Sequence, residues 1–340
     1  MLGEYEMKPK NVVVLMGGIS PEREISLRSG NAVARALKDA GFNVTCIDVK
    51  DEKIEELDQM DIDVAFIALH GYFGEDGGVQ QLLELKGILY TGSGINASRL
   101  AMDKLATKKC FIEAGLKTPD YITVTEFQEL TEIQQEVSKL GLPVVLKPTR
   151  NGSSIGISII KNIDDLQIGL EKAFEFGYEL LVEKYIKGRE LTVGILDDKA
   201  LPIIEIKPAV EFYNYEAKYK DDRTKYLIVE KTLSEQRNTV GDSSRTIGFL
   251  SPATYNNAQE LAINAQKVIG CKGFSRVDML LNDRDNLYLL EINTIPGFTE
   301  KSLLPKAAKA AGMSFPSLCE KIIDLAFQHI LVSADEPIQN

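Results

Sequence analysis

Short apolar runs alternate with helical stripes over the first hundred residues, and this alternation most limits the possible folds. Residues 11–16 read NVVVLM, which is typical of a strand buried on both faces. Residues 20–22 (Ser-Pro-Glu) then predict a helix start, with Ser20 as N-cap and an acidic residue in the first turn. Two more apolar runs follow at residues 44–49 and 64–69. Because strands joined by helices form doubly wound sheets, this half predicts a Rossmann-like parallel sheet.

The rest of the chain has shorter strands and more hairpin signals, which predicts an α+β region with mostly antiparallel pairing. One helix is predicted to contain residues 98–114, and two more lie near 131–140 and 164–176. Residues 209–247 are polar with little apolar periodicity, which is typical of a functional lid or of a disordered insert. The predicted strands are residues 143–147, 157–160, 180–183, 191–196 and 201–207.

Charge and composition exclude several classes of function. The 39 basic and 50 acidic residues give a net charge of −11, which argues against sequence-independent nucleic-acid binding, since that needs phosphate neutralisation. Only two histidines occur, so a histidine-rich metal site is not expected. No apolar run approaches the about 18 residues of a membrane span, and the first residues lack a signal-peptide core. The four cysteines show no C-x-x-C pairing, which is typical of reduced thiols in the cytoplasm.

Two glycine-rich stretches are candidate phosphate-binding loops, and no P-loop motif is present. Residues 91–97 (TGSGINA) satisfy a loose dinucleotide-binding pattern, although they do not follow the first strand. Residues 147–156 (KPTRNGSSIG) place a lysine at a strand end before a loop of small residues. Such a loop lets backbone N–H groups approach phosphate oxygens. An ordinary hairpin turn with a surface lysine explains the same stretch equally well.

The most informative pattern is a predicted hairpin of residues 276–281 and 287–293. If Leu281 pairs with Tyr288, Asp278 lies opposite Glu291 and Arg276 opposite Asn293, all on one face. Two opposed carboxylates and an amide oxygen suit a hard cation such as Mg²⁺. The opposite face is mostly apolar and orients the hairpin against a core, which favours the metal site over a solvated surface. That face is expected to carry Val277, Met279, Tyr288, Leu290 and Ile292.

Four other residues are ambiguous when taken singly. Glu22 could simply complement a helix dipole, and Tyr219 could be a solvated aromatic side chain. Lys104 is expected to face solvent unless a partner draws it inward. His70 is better placed, because it ends the third strand, and strand carboxyl ends bind ligands in doubly wound sheets.

Taken together, these stretches resemble the D-alanine–D-alanine ligases of the ATP-grasp superfamily. The resemblance runs from Val12 to about Phe315, with eight motifs in family order. It implies a Rossmann-like N-terminal domain followed by a two-part ATP-grasp fold. The motifs are GGISPEREIS (17–26), ALHGYFGEDG (68–77), YTGSG (90–94), MDK (102–104), LKPTRNGSSIG (146–156), YEAKY (215–219), RVDML (276–280) and LLEINTIPGFTEKSLLP (289–305).

The resemblance implies a nucleotide site and a metal site. Lys104, Lys147 and Glu183 would hold ATP, with the backbone of Lys184, Tyr185 and Ile186 beside adenine and Glu190 at the ribose. Asp278, Glu291 and Asn293 would bind two Mg²⁺ ions, for which Mn²⁺ can substitute.

It also implies the substrate site. Glu22 would meet the ammonium of the first D-alanine, in a triad with Ser153 and Tyr219, and His70 would lie nearby. Arg276 and the N–H of Gly297 would stabilise the oxyanion. Ser302 and Leu303 would hold the second carboxylate. The Lys218-Tyr219 pair is similar to members that form the dipeptide rather than an ester with D-lactate.

The expected domains are residues 1–105 for the first substrate, 106–190 for the central ATP-grasp part and 191–340 for its C-terminal part. The last carries a lid at about 209–225. The family's Pro-Ala pair matches Pro252-Ala253, 33 positions after Tyr219, so residues 229–250 are expected to be an insertion.

We therefore expect a cytoplasmic homodimer that uses small molecules and contacts neither nucleic acid nor membrane. Three alternatives stay open at this point. They are another ATP-grasp carboxylate–amine ligase, a dinucleotide-dependent oxidoreductase built on residues 91–97, and a non-catalytic amino-acid-binding relative.

Overall fold

The chain begins with a three-stranded parallel sheet. A computed structural model describes residues 11–150, 152, 156–208, 223–231 and 247–334. Strands β1 (Asn11–Gly17), β2 (Asn43–Val49) and β3 (Val64–Ile67) lie in the order β2-β1-β3, and a parallel bridge joins Ala65 to Tyr90. The predicted parallel sheet is therefore confirmed. The helices of this part are α1 (Arg23–Asp39), α2 (Gly78–Leu85), α3 (Ile95–Met102) and α4 (Lys104–Glu113), with a 3₁₀ turn at Glu55–Gln59.

The first helix begins later than its sequence signal predicts. Helix α1 begins at Arg23 with Glu22 as its N-cap residue, so the predicted N-cap at Ser20 is wrong. Ser20 Oγ instead accepts the N–H of Glu22 at 3.2 Å and donates to the carbonyl of His70 at 2.6 Å. The serine therefore ties the end of β1 to the end of β3, which a local helix signal cannot reveal.

The single helix predicted over residues 98–114 is two helices. Asp103 has extended backbone geometry between α3 and α4, and its side chain accepts the N–H of Ala106 at 3.0 Å. An aspartate that caps a new helix also ends the preceding one, because its backbone is not helical. Lys104 is consequently the first residue of α4, and its N–H donates to the carbonyl of Thr149 at 2.9 Å.

A second sheet of four antiparallel strands follows. Its strands are β4 (Tyr121–Thr125), β5 (Val144–Pro148), β6 (Ser158–Ile160) and β7 (Glu179–Lys184), in the order β4-β7-β5-β6. Helices α5 (Leu130–Leu140) and α6 (Leu166–Phe174) supply a separate apolar core for it, and a 3₁₀ turn spans Ile163–Asp165. The predicted antiparallel pairing is confirmed here.

The third sheet is larger and carries the hairpin with the predicted metal ligands. It runs β12-β11-β10-β8-β13-β14, with β9 paired to β8. Only the β11–β12 pair in this sheet is parallel among the described strands. The strands are β8 (Gly188–Leu196), β9 (Lys199–Ala200), β10 (Ile204–Lys207), β11 (Lys225–Lys231), β12 (Ile247–Leu250), β13 (Phe274–Asn282) and β14 (Leu287–Asn293). The helices are α7 (Pro252–Ile269), α8 (Leu303–Ala310) and α9 (Phe315–Ala334).

The polar stretch at 209–247 contains a strand. Strand β11 lies within it, although no apolar periodicity predicts one there, and β12 begins at its last residue and pairs with β11. Residues 209–222 and 232–246 lie outside the described residues, and with them most of the predicted lid and insertion.

The β13–β14 hairpin pairs the predicted carboxylates, but its register near the turn differs from the prediction. Asp278 pairs with Glu291 and Arg276 with Asn293, as predicted, but Leu281 pairs with Leu287 rather than Tyr288. A register shift after Asp278 reconciles the two halves, because it leaves Leu290 as an extra, bulged residue. As a result Leu289 is buried in the core, and the predicted core positions of Tyr288 and Leu290 are wrong.

Three phenylalanines join the first sheet to the third. Phe298 packs edge-on against Phe66 of β3 and Phe274 of β13, with ring centroids 5.3 Å apart in both pairs. Edge-to-face aromatic contacts are favoured by the ring quadrupole and restrict how the two parts can shift. Within the part of the chain that the structure describes, no helix has the length and apolarity to cross a membrane.

Candidate active site

A cavity of about 1230 Å³ lies between the carboxyl ends of the first sheet, the β13–β14 hairpin and the start of α8. Strand ends, a hairpin face and a helix N-terminus contribute polar groups to it from three distant parts of the chain. The predicted site residues that line it are Glu22, His70, Lys104, Arg276, Asp278, Glu291, Asn293, Gly297, Ser302 and Leu303.

Glu22 is a buried carboxylate enclosed by two glycines. A Cβ on Gly71 would lie 2.9 Å from Glu22 Oε2, and one on Gly152 would lie 3.1 Å from the same atom. Gly71 also has φ +69°, which L side chains rarely adopt. Gly71 and Gly152 therefore approach Glu22, and the absence of side chains at these two positions permits the approach.

His70 is fully enclosed beside Glu22. Its Nδ1 lies 3.2 Å from Glu75 Oε1, and its Nε2 lies 3.1 Å from Ser29 Oγ. Burial lowers the pKa of His70, but the hydrogen bond and charge of Glu75, with the charge of Glu22, outweigh burial and raise it. The imidazole therefore carries positive charge more readily than its burial suggests.

Gly297, the predicted oxyanion donor, is positioned by contacts on both sides. Its own Cβ, if present, would lie 3.0 Å from Ser302 Oγ. The next residue, Phe298, donates its N–H to Ser29 Oγ at 3.2 Å. Ser302 Oγ in turn contacts Thr299, accepting its N–H at 3.1 Å and lying 2.9 Å from its hydroxyl. The loop that leads into α8 is thus tied to α1.

Arg276 and Asp278 form a two-pronged ion pair on the hairpin. Arg276 Nε lies 3.0 Å from Asp278 Oδ1, and its NH2 nitrogen lies 2.7 Å from Oδ2. Thr192 of the neighbouring strand β8 also donates to Asp278 Oδ1, at 2.6 Å. The planar guanidinium fits both carboxylate oxygens, which holds the side chain of Asp278 toward the cavity.

The donor set on this hairpin suits a hard divalent cation. Asp278 and Glu291 are directly opposite, and Asn293 lies two residues further along the same strand, with its Oδ1 accepting the N–H of Ile295 at 2.9 Å. Two carboxylates and an amide oxygen are ligand types that Mg²⁺ accepts. Among the described residues no three His, Cys, Asp or Glu side chains form a metal-binding group.

The predicted nucleotide residues Lys147 and Glu183 form a buried ion pair away from the lining of this cavity. Lys147 Nζ donates to Glu183 Oε2 at 2.7 Å. Lys147 faces Leu181 across β5 and β7, so Glu183 is its diagonal neighbour on one face. Burial raises the pKa of Glu183, but the charges of Lys108 and Lys147 outweigh burial and lower it.

A second lysine, which sequence reasoning missed, completes this group. Lys108 Nζ lies 3.1 Å from Glu183 Oε1 and donates to Thr118 Oγ1. Burial lowers the pKa of Lys108, and the charge of Glu183 only partly offsets this. The sequence signal that could have identified Lys108 is its position on one face of α4 with Lys104 and Phe111, because residues at i, i+4 and i+7 share a helix face.

The other predicted nucleotide residues lie between the end of β7 and the first part of β8. Lys184 ends β7 and is exposed, Tyr185 donates its N–H to the carbonyl of Pro143 at 3.0 Å, and Ile186 is half-buried. Glu190 lies in β8 opposite Leu280 of β13. These residues lie where the chain passes from β7 of the second sheet to β8 of the third. Ser153, Lys218 and Tyr219 lie outside the described residues.

The glycine pattern at 91–97 has a packing role. Gly92 has φ +91°, and a Cβ there would lie 3.3 Å from the Phe274 ring. None of residues 91–97 lines the cavity. The pattern therefore reflects close contact between the first and third sheets, and its geometry gives the oxidoreductase alternative no support.

Comparisons with known proteins agree with this architecture. The family model described as "D-ala D-ala ligase C-terminus" matches residues 110–324, and that of "D-ala D-ala ligase N-terminus" matches residues 51–93. A D-alanine–D-alanine ligase of Syntrophotalea carbinolica is 45% identical over 318 residues, which are 94% of this chain and 96% of the relative.

Solved structures give the same result. The Bacillus anthracis D-alanine–D-alanine ligase complexed with ATP is similar with a TM-score of 0.80 and 34% identity, covering 95% of this chain and 99% of that one. The VanG D-Ala:D-Ser ligase of Enterococcus faecalis is similar with a TM-score of 0.77 and 29% identity, covering 93% and 99%.

A parallel sheet, an antiparallel four-stranded sheet and a larger mixed sheet, with basic and acidic side chains gathered in the cavity beside the first and third sheets, define an ATP-grasp ligase. This confirms the fold predicted from the sequence motifs. Within that class, the chain belongs to the D-alanine–D-alanine ligase family.

Proposed function

We propose that this protein joins two molecules of D-alanine to D-alanyl-D-alanine, a peptidoglycan precursor, with conversion of ATP to ADP and phosphate. The observation that carries this is the single cavity lined by Glu22 and His70 on one side and by Arg276, Asp278 and Glu291 on the other. An amino acid placed there meets carboxylates for its ammonium group and cations for its carboxylate. Family membership supplies the identity of the amino acid.

The proposed reaction has two steps. A carboxylate oxygen of the first D-alanine attacks the γ-phosphorus of ATP, which forms D-alanyl phosphate and releases ADP. The amine of the second D-alanine, having lost a proton, attacks the acyl carbon, and phosphate leaves as the tetrahedral intermediate collapses. Phosphoryl transfer depends mainly on positioning and charge neutralisation, so no protein nucleophile is needed.

In the first step, Glu22 binds the ammonium of the first D-alanine, with Ser153 and Tyr219 as partners. The approach of Gly152 to Glu22 supports this role, because Gly152 directly precedes Ser153 in the sequence. Glu75 raises the pKa of His70, and the protonated imidazole would neutralise part of the negative charge that Glu22 and the substrate carboxylate bring into the cavity.

In the second step, Arg276 and the N–H of Gly297 stabilise the oxyanion of the tetrahedral intermediate. Ser302 and the N–H of Leu303, the first residue of α8, bind the carboxylate of the second D-alanine. A helix N-terminus favours a carboxylate through its free N–H groups. Lys218 contributes to the same substrate.

For the nucleotide, Lys104 and Lys147 bind phosphate oxygens, Glu183 with the backbone of Lys184 to Ile186 borders adenine, and Glu190 binds the ribose. Asp278, Glu291 and Asn293 hold two Mg²⁺ ions, which Mn²⁺ can replace. Metal ions held by these three residues would neutralise part of the phosphate charge. The pairing of Asp278 with Glu291 supports this assignment.

The lid at about 209–225 closes over the acyl phosphate and excludes water from it. Thr224, at the end of that segment, is buried and lines the cavity, which supports the assignment.

The protein is further proposed to be a cytoplasmic homodimer. Light scattering after size exclusion should give twice the chain mass.

The decisive experiment measures phosphate release from ATP with D-alanine as the only amino acid, with the product identified by mass spectrometry. L-Alanine serves as the matched control, because it differs only in the configuration that the site must distinguish. D-Lactate and D-serine are then offered with D-alanine as second substrates. Absence of D-alanine-dependent phosphate release, or dominant formation of the ester or of D-alanyl-D-serine, would overturn the proposal.

A further inference from the structure

Glu183 is contacted by two lysines that differ in how firmly they are held. Lys108 Nζ is 3.1 Å from Oε1, and Lys147 Nζ is 2.7 Å from Oε2. The side chain of Lys108 is 0% exposed, whereas that of Lys147 is 11% exposed. Two ammonium groups and one carboxylate give this cluster of three side chains one excess positive charge, and Lys147 is the first residue of the 147–156 stretch.

Lys108 is anchored on its other side as well. It donates to Thr118 Oγ1, and Thr118 donates onward to the carbonyl of Leu289 at 2.9 Å. Leu289 is the buried residue beside the bulge of β14, the strand that carries Glu291. The ammonium of Lys108 is therefore enclosed by α4, β7 and β14 and has no route to solvent among the residues described.

Lys147 has the freedom that Lys108 lacks. It lies next to the end of β5, where the chain enters the glycine-rich loop, and its side chain reaches the surface. A lysine that binds a phosphate must turn away from its carboxylate partner, and a buried carboxylate left without a counter-ion is strongly unfavourable. The second lysine removes this obstacle.

We propose that Lys108 is a positioning residue that keeps Glu183 paired when Lys147 turns to the phosphates of ATP. The inference rests on the proposed nucleotide site and adds a residue to it. Lys108 acts through Glu183, whose Oε1 lies 3.1 Å from the Lys108 ammonium and is therefore still paired when Lys147 leaves Oε2.

Without Lys108, Lys147 becomes the sole counter-ion of Glu183 and stays with it. Lys108→Met keeps the length and removes the charge, so KM for ATP should rise about thirtyfold, as expected for loss of one partner in a buried charge group. KM for D-alanine should change by less than about twofold, because the amino-acid site lies elsewhere.

A second variant distinguishes a positioning role of Lys108 from general destabilisation of the fold. In Glu183→Gln the carboxylate charge is gone, so adding Lys108→Met to it should raise KM for ATP by less than about threefold. Thr118→Val is the matched control: it removes the hydroxyl partner of Lys108 but leaves both charges, and should leave KM for ATP within about threefold of wild type. Binding of a non-hydrolysable ATP analogue, measured by calorimetry, should follow the same pattern.

The proposal is overturned if folded Lys108→Met binds ATP as wild type does, or if Lys108→Met is equally damaging with and without Glu183→Gln. Should Lys108→Met fail to fold, recovery of the fold in the double variant supports the proposal and continued unfolding overturns it. Wild-type protein that releases no phosphate from ATP with D-alanine contradicts the proposed function instead, so the two failures are distinguishable.

Discussion

Ser29 Oγ accepts a hydrogen bond from the backbone N–H of Phe298 at 3.2 Å, across 269 positions of sequence. Ser29 belongs to α1 of the first domain, and Phe298 directly follows Gly297. The same hydroxyl lies 3.1 Å from His70 Nε2. The peptide that follows the proposed oxyanion donor is therefore oriented by the opposite wall of the cavity.

Ser29→Ala should lower kcat about tenfold, because the Gly297–Phe298 peptide loses its anchor. The buried N–H left without a partner should also lower the free energy of unfolding by about 1–3 kcal/mol. Steady-state kinetics and urea unfolding measure the two effects. Ser317→Ala, at an exposed serine, is the control and should change neither. An unchanged kcat in Ser29→Ala would show that this contact does not position the loop.

The His70–Glu75 pair should make stability depend on pH. Because the pKa of His70 is raised above its ordinary value of 6.5, its charge stabilises the folded state fully below about pH 6.5. This contribution disappears as pH rises through the raised pKa of the folded state.

An NMR titration can check this directly, since the chain has only two histidines. Glu75→Gln should lower the pKa of His70, because burial then acts without its main opposing charge. A His329→Gln variant assigns the other resonance. A His70 pKa that is unaffected by Glu75→Gln would contradict the pairing.

Removal of divalent cations should abolish activity, and Mg²⁺ should restore it. Asp278→Asn or Glu291→Gln should raise the Mg²⁺ concentration needed for half-maximal activity by at least about tenfold, because each loses a charged ligand. Asp283→Asn, in the exposed turn of the same hairpin, is the matched control. Full activity of either variant at the wild-type Mg²⁺ requirement would remove the metal assignment.

Arg276→Lys should lower kcat roughly 100-fold although the charge is kept. An ammonium cannot reproduce the two parallel contacts that Arg276 makes with Asp278, so both side chains lose their orientation. Arg284→Lys, at an exposed arginine of the hairpin turn, controls for the general effect of the exchange. Wild-type kcat in Arg276→Lys would show that charge alone suffices.

Gly30→Ala should lower the free energy of unfolding by about 1–3 kcal/mol through overpacking. A Cβ at Gly30 would lie 2.4 Å from Met16 Cβ, because α1 packs closely on β1. Alanine favours helices over glycine by about 1 kcal/mol, so propensity alone predicts the opposite sign. Urea unfolding shows whether overpacking or helix propensity determines the sign of the change, with Asn31→Ala at the exposed neighbouring position as control.

Much of the fold and site was predictable from the sequence because the signals are local. Apolar runs bounded by turns predicted the parallel sheet, and period-two alternation placed Asp278 opposite Glu291. The motifs in family order predicted the ATP-grasp fold. The prediction failed locally at the start of α1 and at Asp103. Ser20 accepts the N–H of Glu22 without capping the helix, and Asp103 accepts the N–H of Ala106 and so begins a new helix.

The sequence by itself thus determined the alternation of strands and helices in the first sheet, the family that the motifs resemble and which polar residues share a hairpin face. Only the tertiary structure decided that Leu290 bulges, that Lys108 is enclosed with Glu183, and that Ser29 meets Phe298. Periodicity reports the side of an element on which a residue lies. The partner packed against that side comes from a distant part of the chain, and burial then determines whether a charge there is paired, shifted in pKa or left to a ligand.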